Sequence, residues 1–171
     1  MQRSATSPDR STPVIVALGG NRCHGRHGRP EQVLQAAIRK LAKRGLRIER
    51  TSRILSTPPL GPSNRRYANS ALKARWGGSA PELLSLLKAL EREFGRRRGQ
   101  RWGARVLDCD LIAFGQQSLH LHGLELPHPR LHQRDFVLRP MLEIWPDWRH
   151  PQRLQTVRQM LARLQKPKPS G

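Results

Sequence analysis

Apolar residues recur along the chain with a period of two in some stretches, as in strands, and at spacings of three and four in others, as in helices. Short β-branched or alternating runs predict strands at residues 13–18, 46–55, 67–76 and 106–114. Helical spacing predicts helices at residues 30–44, 79–94, 136–144 and 156–164. The mixed stretch 116–125 is interpreted as a hairpin-like excursion.

Residues that begin and end helices stand at the boundaries of the first two helical stretches. Pro30 occupies the first turn of the first helix, where a missing N–H is tolerated, and Gly45 ends that helix. Ser79 and Glu82 have the spacing of a capping box at the start of the second helix. The local signals therefore agree with the hydrophobic pattern.

The order of these elements, βαββαβ followed by further helices, is typical of an α+β fold made of two split βαβ units, the ferredoxin-like arrangement. It predicts an antiparallel sheet with helices on one face, an opposite face open to ligand, and added C-terminal helices. With 171 residues, the chain is long enough for one domain with a sizeable core. We assign that domain to residues 13–165, with a flexible arm at 1–12 and a disordered tail at 166–171.

Two acidic residues interrupt the apolar run of the last predicted strand. Asp108 and Asp110 are two residues apart, so their side chains project from the same face, while Cys109 projects into the core. Like charges on a half-buried strand repel each other and lose hydration unless a cation compensates them. Carboxylate oxygens suit Mg²⁺, which keeps several waters and bridges to phosphates. The pair therefore predicts a magnesium site, although Asp-x-Asp alone is more often an exposed strand edge.

Arginines dominate the segment just before this strand. Those that could bind an anionic ligand are Arg96, Arg97, Arg98, Arg101 and Arg105. The whole chain is also strongly basic, with 32 Lys and Arg against 12 Asp and Glu and a formal charge of +20. Such a charge predicts affinity for polyanions, including nucleic acid, without identifying the working partner.

The cysteines indicate a reducing compartment. Cys23 lies in a predicted loop and Cys109 on the core side of a strand, which favours two free thiols and a cytoplasmic location. No apolar run approaches the ~20 residues of a membrane helix, and the first residues lack the pattern of a secretory signal. Cys23, His24 and His27 stand close together, but without a fourth ligand at a matching spacing we do not expect zinc.

Several motifs, in order along the chain, resemble those of the 6-hydroxymethyl-7,8-dihydropterin pyrophosphokinase family of folate biosynthesis. They are Ala17-Leu-Gly-Gly-Asn21, Thr57-Pro-Pro-Leu-Gly-Pro62, Tyr67-Ala-Asn69, Gly95-Arg-Arg-Arg98, Arg101-Trp-Gly-Ala-Arg-Val-Leu-Asp-Cys-Asp110, Pro127-His128, Arg134-x-Phe136 and Pro140-Met-Leu-Glu143. The resemblance runs from Val14 to Trp148, and the motif that ends at Asp110 is its most specific part. Gly20 departs from the family, in which serine is common at this position.

The resemblance implies transfer of the pyrophosphoryl group of ATP to the hydroxymethyl group of the pterin, with release of AMP. Such a transfer depends on positioning and charge neutralisation. The catalytic residues it implies are Arg96, Arg105, Asp108 and Asp110, with both acids as ligands of two Mg²⁺ ions. The implied contacts to ATP, the co-substrate, are Glu91, Arg98, Arg101, His128 and Arg134. The implied contacts to the pterin are Thr57, Pro58, Leu60, Tyr67, Asn69, Trp102 and Phe136.

Two other interpretations compete with this one. A basic βαββαβ chain also fits an RNA-recognition domain, but such domains stack bases on aromatic residues of their central strands. The strand at 106–114 and the first strand lack that aromatic motif, and acids on the open face would repel phosphates unless a metal is present. An inactive paralogue is disfavoured because both acids and the main arginines are present. We therefore expect a monomeric enzyme whose partners are ATP and hydroxymethyldihydropterin, with no specific nucleic acid and no membrane.

Overall fold

The computed structural model describes residues 10–58, 65–95 and 105–166. Its elements in chain order are β1 (Thr12–Gly20), α1 (Pro30–Lys43), β2 (Arg47–Thr51), β3 (Leu55–Thr57), β4 (Tyr67–Trp76), α2 (Ala80–Glu93), β5 (Asp108–Phe114), β6 (Leu119–Leu121), β7 (Leu124–Leu126), a 3-10 turn (Leu131–Gln133), α3 (Asp135–Ile144) and α4 (Val157–Leu164). The predicted alternation of strands and helices is confirmed, and residues 116–125 do enter a hairpin, β6–β7.

One antiparallel sheet organises the fold. Its strand order is β2-β4-β1-β5, with β3 pairing with the other end of β4. β1 lies between β4 and β5, and its residues Val14, Ile15 and Val16 are fully buried. A strand buried on both faces reads as a continuous apolar run, which explains why the sequence 13–18 lacks polar alternation.

Helices cover both faces of the sheet, where one covered face was predicted. α1 and α2 pack on the face that carries Val16 and Leu72, while α3 and α4 pack on the opposite face around Ile15 and Ile112. The expectation of an open second face is therefore wrong for most of the sheet, because the C-terminal helices have apolar stripes of their own to bury. That face stays partly exposed where β5 begins, at Asp108.

Both predicted helix starts are confirmed. Pro30 is the first residue of α1, and Gly45 follows its end with a φ of +93°. The Ser79 hydroxyl accepts from the N–H of Glu82, whose carboxylate accepts from the N–H of Ser79 at 2.6 Å. These caps satisfy backbone groups that have no partner inside the helix.

The single strand predicted at 46–55 is two strands, β2 and β3, separated at Ser52. Its N–H donates to the carbonyl of Ala71 at 3.0 Å, and its hydroxyl accepts from the N–H of Ala71 at 2.9 Å. The side chain thus takes the place of a backbone acceptor. The next residue, Arg53, donates its N–H to Glu143 of α3 at 2.9 Å, which turns the chain away from the ladder.

No helix within residues 10–58, 65–95 and 105–166 combines the length and apolar composition that crossing a membrane requires. Both cysteines are free, with Cys23 exposed and Cys109 buried as predicted.

Candidate active site

The two acids of β5 stand on one face of the sheet, as the alternation predicts. Asp108 pairs with Gly19 of β1 and Asp110 with Ala17, while Cys109 between them is fully buried in the core under α1 and α2. Each acidic side chain is 29% exposed. The carboxylates are therefore half-buried, reachable by ligand and held by a paired backbone.

Each carboxylate has an arginine beside it. Arg105 Nη1 lies 3.0 Å from Asp108 Oδ2, and Arg134 Nη1 lies 3.4 Å from Asp110 Oδ2. A guanidinium has further N–H donors beyond the one in such a pair, and their planar arrangement suits phosphate oxygens. The site therefore combines two groups that attract a cation with two that attract an anion.

The end of β1 packs closely against the chain that leads into β5. A Cβ atom on Gly20 would lie 2.3 Å from the carbonyl oxygen of Val106, so the close approach requires glycine here. Asn21, only 2% exposed, donates its N–H to the carbonyl of Arg105 at 2.9 Å and accepts from the N–H of Arg105 at 2.8 Å. Sequence reasoning gave Asn21 no role, because its partner Arg105 is distant in the sequence.

A polar group lies on β3 and β4, across β1 from the acids of β5. Asn69 of β4 pairs with Gly19 and is 7% exposed. Its Nδ2 donates to Thr57 Oγ1 at 2.8 Å, and Thr57 is the register partner of Tyr67. The structure thus brings together three of the residues predicted to contact the heterocyclic substrate, and Pro58 directly follows Thr57 in the chain.

Gly19 and Ala17 form a floor of small residues between the two groups. Asp108, Gly19 and Asn69 occupy one row across three adjacent strands. Strands in a sheet are about 4.8 Å apart, so this row spans roughly 10 Å. That distance suits a small ligand lying over β1 with one end at the acids and the other at the Asn69 amide.

His128 and Arg134 lie next to Asp110, on the segment that leads into α3. His128 donates its N–H to the carbonyl of Ile112 at 2.9 Å, which fixes it beside β5. Burial lowers the pKa of His128; the charge of Asp110 acts in the opposite direction, and Arg134 and Arg130 lower the pKa further. Because Nδ1 accepts from the N–H of Arg130 at 3.2 Å, the neutral ring carries its proton on Nε2 and can donate from there.

Phe136 is the second residue of α3. Its half-buried ring has the guanidinium of Arg134 at 5.8 Å from its centroid, within the range of a cation–π contact. His128 and Arg134, predicted as separate contacts, are therefore neighbours of Asp110, and Phe136 lies against Arg134.

Glu91 lies on the opposite side of β5 from the carboxylates. It is 1% exposed on α2 and accepts from the N–H of Cys109 at 2.7 Å. Lys88 Nζ donates both to Glu91, at 2.9 Å, and to the carbonyl of Cys109, at 3.1 Å. Since β5 ends the strand order of the described sheet, these side chains bind backbone groups that a further strand would otherwise bind. Sequence reasoning did not single out Lys88.

Five predicted site residues lie outside the described residues: Leu60, Arg96, Arg98, Arg101 and Trp102. Among the residues that the structure does describe, no three His, Cys, Asp or Glu side chains group so as to hold a metal ion. Cys23, His24 and His27 accordingly do not form such a group.

Comparison with known proteins places this chain in a family. The model of the 7,8-dihydro-6-hydroxymethylpterin-pyrophosphokinase family matches residues 15–146. A 2-amino-4-hydroxy-6-hydroxymethyldihydropteridine pyrophosphokinase of Synechocystis sp. is 39% identical over 92% of this chain and 78% of its own length. The protein of the same name from Pseudomonas aeruginosa is 36% identical over 81% of this chain and 83% of its own.

Solved structures agree at the level of fold. The crystal structure of Plasmodium falciparum HPPK-DHPS with pteroate superposes with a TM-score of 0.69 at 12% identity. It covers 92% of this chain, which spans 43% of that longer chain. The family model and the two bacterial relatives together show that the chain belongs to the 7,8-dihydro-6-hydroxymethylpterin-pyrophosphokinase family.

Proposed function

We propose that this chain transfers the β,γ-pyrophosphoryl group of ATP to the hydroxymethyl group of 6-hydroxymethyl-7,8-dihydropterin and releases AMP, as a step of folate biosynthesis. The observation that carries this proposal is the row Asp108–Gly19–Asn69, with two arginine-paired acids at one end and an amide at the other. Two substrates of opposite character, a polyphosphate and a flat hydrogen-bonding heterocycle, fit its two ends.

The acids fit Mg²⁺. Asp108 and Asp110 offer hard oxygen ligands on one face, and the described residues hold no third ligand-type side chain in a group with them. Mg²⁺ accepts such a site because it keeps waters and takes the remaining oxygens from phosphates. We propose two Mg²⁺ ions there; when bound, they neutralise phosphate charge and lower the pKa of the attacking hydroxyl.

The residues around the acids would position the triphosphate. Arg105 and Arg134 lie where a phosphate bound at the acids would meet the N–H donors that each guanidinium has beyond the one in its acid pair. His128 would donate from Nε2 to a phosphate oxygen, as its Nδ1 is already an acceptor. The resemblance adds Arg96 as a catalytic cation and Arg98 and Arg101 on the ATP side. Glu91 remains a proposed neighbour of the adenosine, by resemblance, in addition to its bond with Cys109.

The polar group around Asn69 would hold the pterin. The Asn69 amide and the hydroxyls of Thr57 and Tyr67 can form hydrogen bonds with the edge of the heterocycle. Pro58 can fix the adjacent backbone. Phe136 offers a half-buried ring near Asp110 for stacking. By resemblance, Trp102 would stack on the opposite side and Leu60 would contribute backbone contacts.

We propose no general base. The reaction requires an attacking hydroxyl held in line with the β-phosphorus, and positioning with charge neutralisation accounts for most of the catalysis in phosphoryl transfer. In this arrangement the chain's own contribution is to orient both substrates over Ala17 and Gly19 and to keep the cationic groups fixed beside the acids.

The remaining assignments concern the whole chain. We propose a ferredoxin-like core, which the antiparallel order β2-β4-β1-β5 supports, in a single domain between an arm at 1–12 and a tail at 166–171. β1 begins at Thr12, one residue before the predicted strand. We further propose a cytoplasmic monomer without a specific nucleic-acid or membrane partner, and the two free cysteines support that compartment.

The purified protein, given ATP, Mg²⁺ and 6-hydroxymethyl-7,8-dihydropterin, is expected to form AMP and the pterin pyrophosphate in equal amounts. Chromatographic separation of AMP, ADP and the pterin product measures both. Formation of ADP, or of AMP without a pterin product, would contradict the proposal. Reactions lacking the pterin and reactions with excess chelator serve as controls, and both are expected to yield no AMP.

A further inference from the structure

The loop at residues 21–29, between β1 and α1, is fixed at its middle by three stacked rings. His27 lies 4.9 Å from Phe94 and 4.8 Å from His24 by ring centroids, with interplanar angles of 29° and 27°. Phe94 is 1% exposed and caps the C-terminal end of α2. Loop 21–29 is thereby attached to the end of the helix that carries Lys88 and Glu91.

The fold of loop 21–29 requires one histidine nitrogen to accept hydrogen bonds. His24 Nδ1 accepts from the N–H of Arg26 at 3.1 Å and from that of His27 at 3.3 Å. The backbones of His24 and Gly28 also exchange two bonds, of 2.8 and 2.7 Å. A proton on Nδ1 would turn the acceptor into a donor that faces two N–H groups, so this turn exists with Nδ1 unprotonated.

The first residue of loop 21–29 reaches the active site. Asn21 makes two bonds with the backbone of Arg105, whose guanidinium pairs with Asp108. A path therefore runs from Phe94 through the two stacked histidines, along the backbone of residues 22 and 23 to Asn21, and through its two hydrogen bonds to Arg105. Because aromatic pairs contribute energy beyond simple burial, the stack can hold one end of this path.

We propose that His24 and His27 are positioning residues for the pyrophosphoryl transfer, and that the stack of their rings on Phe94 keeps Asn21, and hence Arg105, in register beside Asp108. This inference rests on the proposed function for its catalytic consequence, while its structural part does not. It assigns the Cys23-His24-x-x-His27 stretch to support of the phosphate site instead of metal binding.

The surroundings of the stack are cationic, which makes it sensitive to acid. Lys40 of α1 lies over the Phe94 ring at 5.3 Å and also binds Glu93, which accepts from Arg44 as well. Burial lowers the pKa of His27, and His24, Lys40, Arg26 and Arg39 lower it further. Protonation of His27 would place a positive charge beside these cations and against the other two rings, so acid is expected to loosen loop 21–29.

Two substitutions of His27 separate stacking from titration. Phenylalanine preserves a flat ring over Phe94 but binds no proton, whereas alanine removes the ring. His27→Ala is expected to raise the KM for ATP about two- to tenfold, the range that one aromatic pair provides, and to leave the KM for the pterin unchanged. His27→Phe is expected to retain the wild-type KM for ATP at about pH 8. When the pH is lowered to about 5.5, its KM for ATP is expected to rise less than that of the wild type.

His24→Asn supplies a third test. The asparagine oxygen can accept from the same two N–H groups, as in an Asx turn, but carries no ring to stack. An intermediate rise in the KM for ATP, smaller than that of His27→Ala, would support separate roles for the turn and the stack. Equal increases in the KM for both substrates, or unchanged values in His27→Ala, would overturn the positioning role.

A readout without substrate keeps this inference separate from the proposed function. In NMR spectra of the free protein, the amide signals of Asn21 and Arg105 are expected to shift in His27→Ala and to stay near wild type in His27→Phe. Unshifted signals in His27→Ala would overturn the inference even if AMP is formed. Shifted signals in a protein that forms no AMP would support the path of contacts and refute only the catalytic proposal.

Discussion

The proposed role of Asp108 and Asp110 depends on the position of β5 in the sheet. Both residues are paired with β1 in regular strand geometry. Register with Gly19 and Ala17 sets them over small residues, and Arg105 and Arg134 lie within 3.4 Å of them. Removal of one carboxylate would leave its arginine in place and eliminate one of the two proposed Mg²⁺ ligands. Function should therefore respond far more strongly than folding.

Asp110→Asn keeps the size of the side chain and removes its charge. We expect turnover to fall by about a hundredfold or more, because a fixed charge at the reacting phosphates is lost, with little change in unfolding temperature. Steady-state AMP formation and thermal unfolding measure the two effects. Asp147→Asn, an exposed acid in the turn before α4, is the matched control and should leave both unchanged. An active Asp110→Asn variant would show that the acids are not the metal site.

Gly20 shows how closely backbone packing controls the same site. Gly20→Ala would set a Cβ atom 2.3 Å from the carbonyl oxygen of Val106, and the chain at Arg105 would have to move. We expect a loss of about 1–3 kcal/mol in the free energy of unfolding, as for other overpacked positions, measured by urea titration. Gly77→Ala, where the added Cβ would meet nothing within 4 Å, should change the free energy of unfolding by less than about 0.5 kcal/mol. Equal effects at both positions would argue against close packing as the reason for glycine.

At the scale of elements, α2 binds β5 from the face of the sheet opposite the two acids. The Lys88 ammonium and the Glu91 carboxylate bind both backbone groups of Cys109, the residue between the two acids. A free strand edge is otherwise open to water or to another chain. The helix therefore fixes the segment from which Asp108 and Asp110 project on the opposite face.

Lys88→Met tests this support. The substitution removes the donor to the Cys109 carbonyl and the cation beside a carboxylate that is 1% exposed. We expect a loss of about 2–3 kcal/mol in the free energy of unfolding, below the range for a fully buried pair because Lys88 is about one-third exposed. Urea unfolding of Lys88→Met, Glu91→Gln and the double variant measures the coupling. Strictly additive losses would mean that the two side chains act independently.

The sequence predicted elements better than it predicted what joins them. The capping residues at Ser79 and Glu82, and the alternation in β5, act over a few residues and are visible in the chain. The break between β2 and β3 depends on Ser52 meeting Ala71 and on Glu143 meeting Arg53, which are contacts over long sequence separations. The covering of the second face likewise depends on long-range contacts, those of α3 and α4 with Ile15 and Ile112 of the sheet.

In the candidate site, residue type and spacing were enough to predict groups whose members are close together in the sequence. The carboxylate pair follows from alternation alone, whereas Asn21 and Lys88 act on backbone groups of distant residues. No spacing rule reveals such partners, because any buried polar side chain can satisfy any nearby backbone group. Residues that support a site are therefore the part least visible in a single sequence.

Across the whole molecule, many of the acids in the described residues are paired with arginine or lysine. Such pairs involve Glu49, Glu91, Glu93, Asp108, Asp110, Asp135 and Glu143. The formal charge of +20 means that lysine and arginine side chains far outnumber the acids. Repulsion among these positive charges destabilises the folded state. Protonation of histidines would add to that charge.

Acid should therefore destabilise the protein in two stages. Burial lowers the pKa of His27, His128, His132 and His150, so the unfolded chain binds protons first and stability falls as the pH drops below about 6.5. A second loss begins below about 4.5, since hydrogen bonds lower the pKa of Glu49, Glu82 and Glu93 in the folded state. Thermal unfolding between about pH 3 and 8 measures both stages. Repeating it at about 0.5 M salt should weaken the general repulsion and leave the part due to burial, because salt screens exposed charges more than buried ones. A transition temperature that stays constant from pH 8 to 5 would contradict the assignment of neutral histidines with lowered pKa values in the folded protein.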